Sequence, residues 1–204
     1  MSRKFSAKET EFYKQKMIDE ATHLFSRLGF KKTSIEDITN AAGVAKGTFY
    51  NIFNSKEDLL FSVLEEQEKF RESLLEELMN SDASAQSAIK HLLDVSLNQA
   101  DENKIFKMFY EENLVDRLYL KLSPERIEEH FRNDYQQSCA FIKYFQTNSN
   151  LIKADPELII GLLRGFFMLP MHKKEIGEEI YSEVMTLFID ILAKGLTTKE
   201  VKND

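Results

Sequence analysis

One cysteine, three prolines, seven glycines and no tryptophan leave several classes of protein without their raw material. Cys139 alone can form no intrachain disulfide, which suits a chain expected in the reducing cytoplasm. Few glycines and prolines, and no strand-like alternation, predict an all-α fold. The opening MSRKFSAKETEFYKQK has no apolar run, so no secretory signal is expected. The longest apolar stretch, Leu158 to Met171, is broken by Arg164 and falls short of the roughly 20 residues that span a bilayer. No membrane partner is expected.

Chemistry is sparse as well. His23, His91, His130 and His172 are scattered, with no i, i+4 pair and no cysteine beside them, so no metal is expected. There is no glycine-rich phosphate loop and no nucleophile elbow. No cofactor and no catalytic residue is assigned, and the chain is not expected to be an enzyme.

What the chain does have is an uneven charge. The net charge is −7, yet residues 1–56 hold ten Lys/Arg against six Asp/Glu, a net of +4 that leaves −11 for the rest. A basic N-terminal part on an acidic body fits a nucleic-acid reader joined to a second function.

The stretch Thr33 to Leu60, TSIEDITNAAGVAKGTFYNIFNSKEDLL, organises the reading. Ser34 can cap a first short helix, with Asp37 at its third position. Gly43 stands where a helix ends in a left-handed residue. Lys46 to Phe53 then forms a second helix, with Phe49 and Phe53 inward and Lys46, Thr48, Tyr50 and Asn51 outward. Two helices about a tight turn, the second with a polar outer face, suit a DNA major groove.

Around that core the periodicity predicts about nine helices. Glu9–Leu28 comes first, with Phe12, Met17, Ala21, Leu24, Phe25 and Leu28 on one side. Ser55, with Asp58, caps a long helix to Met79 that leads from a helix-turn-helix domain at 1–54 into a helical bundle at 55–204. Helices follow at 85–100, 104–118, 123–147, 156–169 and 178–194. The last two carry surplus apolar surface, which predicts a self-complementary four-helix interface in a homodimer. Gly161, Gly165, Phe166, Val184, Phe188 and Ile191 are assigned to it. Gln67, Phe70, Phe106, Phe109, Tyr110, Arg117, Tyr135 and Cys139 are the residues expected to line an apolar ligand pocket.

The motifs G-V-x-K-G-T-F-Y and F-x-S-K-E-D-L, with T-S-I-E-D-I upstream, resemble the recognition segment of the tetracycline-repressor (TetR) family of bacterial transcriptional regulators. The resemblance runs from about Met17 to Leu60, and beyond it only the helix layout corresponds. It implies an N-terminal three-helix DNA reader, with Lys46, Gly47, Thr48, Tyr50 and Asn51 on the recognition helix. It further implies a phosphate contact from Lys56 and backbone contacts from Thr33 and Ser34. Ile52 departs from the polar residue many relatives carry there. Lys46, Tyr50 and Lys56 are expected to position the DNA, and Thr48 and Asn51 to meet base edges. The function expected is a ligand-responsive regulator of double-stranded, palindromic operator DNA, a repressor released by a small lipophilic or amphipathic effector. Two alternatives stand beside it: a helical scaffold whose helix-turn-helix only packs, and an all-α enzyme using the C-terminal cavity.

Overall fold

The computed structural model describes residues 5–112 and 114–197, without the side chains of Tyr110 and Glu111. Its elements in chain order are α1 (Ala7–Leu28), α2 (Ile35–Ala42), α3 (Lys46–Ile52), α4 (Lys56–Met79), α5 (Ala85–Glu102), α6 (Lys104–Glu111), α7 (Leu114–Lys121), α8 (Pro124–Asn148) and α9 (Pro156–Met168). A 3-10 turn at Leu169–His172, the single-turn α10 (Lys173–Ile176) and α11 (Tyr181–Gly195) complete it. Apart from one isolated bridge between Leu151 and Thr197, the described residues contain no strand pairing, and the fold is all-α. No described helix is long and apolar enough to cross a membrane.

The chain packs as two compact units. One comprises Met1–Glu68 with Asn103–Ile127; the other comprises Lys69–Glu102 with Glu128–Asp204. Packing therefore does not follow a single cut near residue 54, because α6 and α7 return to the N-terminal unit.

In the first unit Met17, Ile18, Ala21, Leu24 and Phe25 of α1 meet Phe30, Ile38, Phe49, Phe53 and Leu59 in one core. Ile105, Met108, Phe109, Leu114 and Leu118 of α6 and α7 join it. Each of these larger side chains, Ala21 apart, contributes about 1.5–3 kcal/mol by leaving water. α1 starts on a full capping box between Ser6 and Glu9. Its inner face differs from the expected stripe at both ends, since Phe12 and Leu28 are exposed. The expected single helix 104–118 is interrupted at Glu112, whose backbone leaves the helical path.

In the second unit α5, α8, α9 and α11 surround Ile89, Leu93, Phe141, Phe145, Ile159 and Met185. Polar ties hold its rim: Arg71 pairs with Asp134 and also approaches Ser138 at 3.5 Å, and Lys90 meets Asp190 at 2.5 Å. The inward residues of α11 are Tyr181, Met185, Ile189 and Ala193, while Ile180, Leu187 and Ile191 are exposed. Phe166, expected at an interface between copies, is buried in this unit's own core. Gly161, Gly165, Phe188 and Ile191 are exposed and Val184 is half-buried, alongside exposed Leu158, Leu162 and Leu187.

Candidate nucleic-acid interface

Ser34 opens α2 as the sequence suggests. Its hydroxyl accepts from the Asp37 amide at 3.1 Å and donates to the Asp37 carboxylate at 2.6 Å. The Ser34 amide donates to the same carboxylate at 2.8 Å, completing the box. The hydrogen bonds from the Ser34 side chain and backbone hold the Asp37 carboxyl below its usual value, helped by Lys56 against a slight opposing effect of burial. At the other end Gly43 adopts φ +66°, in the left-handed region, and the Val44 amide donates to Thr39 at 2.9 Å. A side chain with a Cβ would resist that conformation.

α3 leaves this turn with two distinct faces. Thr48 and Phe49, together with Phe53 just beyond the helix, are buried. The Phe49 ring centroid lies 5.6 Å from Phe53 and 5.2 Å from Tyr50. Lys46, Gly47, Tyr50 and Asn51 are exposed, with half of Tyr50 (53 %) open to solvent. Nothing lies within 4 Å of where a Cβ on Gly47 would sit, so the outer surface there is bare backbone. Thr48 is a correction: at 8 % exposure it belongs to the frame, not to the outer row. The short helix turns about 100° per residue, which brings position 48 beside Phe49 on the inner side.

Three more of the expected contact residues also serve the frame. Thr33 is buried, and its hydroxyl donates to the Gly29 carbonyl at 2.9 Å. The Ser34 hydroxyl donates its hydrogen bond to the Asp37 carboxylate. Lys56 turns inward, donating from Nζ to the carbonyls of Phe30 at 2.8 Å and Thr33 at 2.7 Å. Burial pushes its ammonium below the usual lysine range, with Arg117 adding to the effect and Glu57, Glu112 and Asp37 opposing it.

Sequence reading missed what surrounds Phe30. Its ring lies under Lys56 Nζ at 4.1 Å and the Arg117 guanidinium at 5.1 Å. The Glu112 carboxylate accepts from the Phe30 and Lys31 amides, both at 3.3 Å. Arg117 donates from Nε to Glu57 at 2.7 Å. Burial alone would raise the Glu57 carboxyl, but its hydrogen bonds and the charges of Arg117 and Lys56 leave it below its usual value. No local spacing signals these contacts, since Glu112 and Phe30 are 82 positions apart.

The expected pocket residues are divided between the two units. In the first, Phe109 is core, Phe106 is half-buried, Arg117 is committed to Glu57, and Gln67 accepts from the Asn103 amide group at 2.9 Å. In the second, Phe70 and Tyr135 are exposed and Cys139 packs half-buried against the core. The Tyr110 side chain lies outside the described residues. No group of three His, Cys, Asp or Glu side chains that could hold a metal occurs among the described residues.

Residues 17–63 match the profile described as bacterial regulatory proteins, tetR family. An uncharacterized HTH-type transcriptional regulator in the lacX 3′ region of Lactococcus lactis subsp. lactis is 28% identical over 125 residues, 61% of each chain. The match thus spans under two thirds of that relative's length. The crystal structure of a TetR-family transcriptional regulator from Pectobacterium atrosepticum has the same fold, with a TM-score of 0.76 at 20% identity over 96% of this chain and 99% of that one. A structure of SmeT in complex with triclosan also shares the fold, at TM-score 0.60 and 16% identity, covering 93% of this chain and 94% of that chain.

Proposed function

We propose that this member of the tetR family of bacterial regulatory proteins is a homodimeric transcriptional regulator of palindromic operator DNA, working in the cytoplasm. The observation that carries the reading is the division of α3. One face is fixed in the core by Phe49 and Phe53, and the other offers Lys46, Tyr50 and Asn51 around the bare backbone of Gly47. Lys46 and Tyr50 are suited to phosphates, and the Asn51 amide can pair with an adenine edge. Thr33, Ser34, Thr48 and Lys56 act behind that surface as its frame.

Dimerisation is proposed through the outward faces of α9 and α11. Leu158, Leu162, Leu187, Phe188 and Ile191 are apolar and exposed, and open space over Gly161 and Gly165 admits a close approach. Two copies would set the α3 helices about 34 Å apart, one turn of duplex. Residues 1–54 are proposed as the reader and 55–204 as the part that binds an effector and dimerises.

The effector is proposed to be small and lipophilic or amphipathic, a reading supported by the triclosan carried by a relative of the same fold. It acts only through its unequal affinity for the DNA-competent and DNA-incompetent states. α4, whose residues belong to both packing units, is the connection it would use. Repression is the mode the family resemblance implies.

The test is a mobility shift with a duplex that the wild-type chain enriches from a random-sequence library. Folded Tyr50→Ala and Asn51→Ala proteins should lose that duplex; retention by both would remove α3 as the reader.

A further inference from the structure

We infer that Glu112 is a positioning residue for DNA binding, fixing the Gly29–Thr33 loop from the α6–α7 corner. The inference rests on the DNA-reading function proposed above. It adds a control point that lies outside the helix-turn-helix.

The loop between α1 and α2 is gripped on both of its backbone edges. Glu112 accepts hydrogen bonds from the amides of Phe30 and Lys31, while Lys56 donates to the carbonyls of Phe30 and Thr33. Phe30 is fully buried, so its position is set by contacts on all sides. Gly29 belongs to the same arrangement: a Cβ there would meet the Glu112 carboxylate oxygen at 2.7 Å. Its φ of +83° is also one that side chains with a Cβ avoid.

The next residue after this loop is Ser34, the cap of α2. A shift of the loop is therefore a shift of the start of the helix-turn-helix. Arg117, paired with Glu57, holds α7 to the start of α4 in the same cluster. A carboxylate accepting two amides forms charge-assisted bonds with a defined direction. Losing it frees the loop without touching the outer face of α3. Glu112 contributes no positive charge, so its loss removes no phosphate contact.

The experiment uses fluorescence anisotropy with the library-enriched duplex and full-length Glu112→Ala and Glu112→Gln proteins. Glu112→Ala should bind about tenfold more weakly and Glu112→Gln by about threefold to tenfold, since its one amide oxygen keeps one uncharged bond while its NH2 group faces the other amide N–H. The slope of log affinity against log salt should match wild type, because no phosphate contact is lost. Gly29→Ala should weaken binding as well, and in the Glu112→Ala background that penalty should shrink, since the methyl then has room. The φ strain is common to both backgrounds and cancels.

Wild-type affinity in folded Glu112→Ala protein overturns the inference while leaving the DNA-reading function intact. Fully additive losses for Gly29→Ala and Glu112→Ala also overturn it. Failure of the wild type to enrich any duplex removes the underlying reading itself.

Discussion

Lys56 Nζ lies 4.1 Å from the centre of the Phe30 ring and donates to that residue's own carbonyl oxygen at 2.8 Å. One ammonium thus binds a side chain and its backbone together. The Thr33 carbonyl takes a second bond from it, which ties the start of α4 to the loop before α2. In the family the matching lysine is a phosphate contact by resemblance. In this chain its geometry makes it a strut of the helix-turn-helix frame.

Replacing Lys56 with methionine keeps the length and the apolar stem but removes every donor. Two buried carbonyls lose a charged partner and Phe30 loses its closest cation, which together should lower stability by about 2–3 kcal/mol. Urea unfolding followed by circular dichroism measures it. A loss below about 0.5 kcal/mol, the scatter of ordinary surface changes, would reduce Lys56 to an exposed lysine.

Ser34→Ala removes the cap of α2 and should destabilise the chain by about 1 kcal/mol at neutral pH. The difference should depend on acid. The Asp37 carboxyl is held below its usual value of 3.8 by Ser34, so the stability it adds is present above about pH 4 and is lost as pH falls through its depressed folded value. In the variant the carboxyl returns toward its ordinary value. The gap between wild type and Ser34→Ala should therefore narrow below pH 4, and a constant gap would separate the cap from Asp37.

Leu162→Glu and Ile191→Glu place charges on side chains that are more than half exposed within one copy. Neither should unfold the chain, but a carboxylate buried at a two-fold interface without a partner is strongly unfavourable. Sedimentation at micromolar concentration should show the wild type as a dimer and both variants as folded monomers. Dimeric variants would move the interface away from α9 and α11.

How much of this was legible in the chain differs from element to element. The Ser34–Asp37 box, the left-handed Gly43 and the buried Phe49 and Phe53 were readable because each depends on neighbours within one or two helical turns. α11 was not. Tyr181, Met185, Ile189 and Ala193 form one apolar face and Ile180, Leu187 and Ile191 another, and periodicity cannot rank two apolar faces by which partner each will meet. The roles of Glu112, Arg117 and Lys56 were hidden for a different reason. Their partners lie 82, 60 and 26 positions away, and only packing brings them together. Phe166 failed as an interface residue because an all-apolar helix does not announce which of its sides its own core will claim.

The central claim is that the outer face of α3 reads duplex sequence, and anisotropy titrations across a salt series test it most directly. The wild type should prefer its enriched duplex over a scrambled one by at least about a thousandfold. Lys46→Ala should weaken both duplexes alike and lower the salt slope by about one. Asn51→Ala should instead erode the preference by about tenfold or more, with the slope unchanged. Equal affinity of the wild type for both duplexes, or folded variants that match it in slope and preference, would contradict the account.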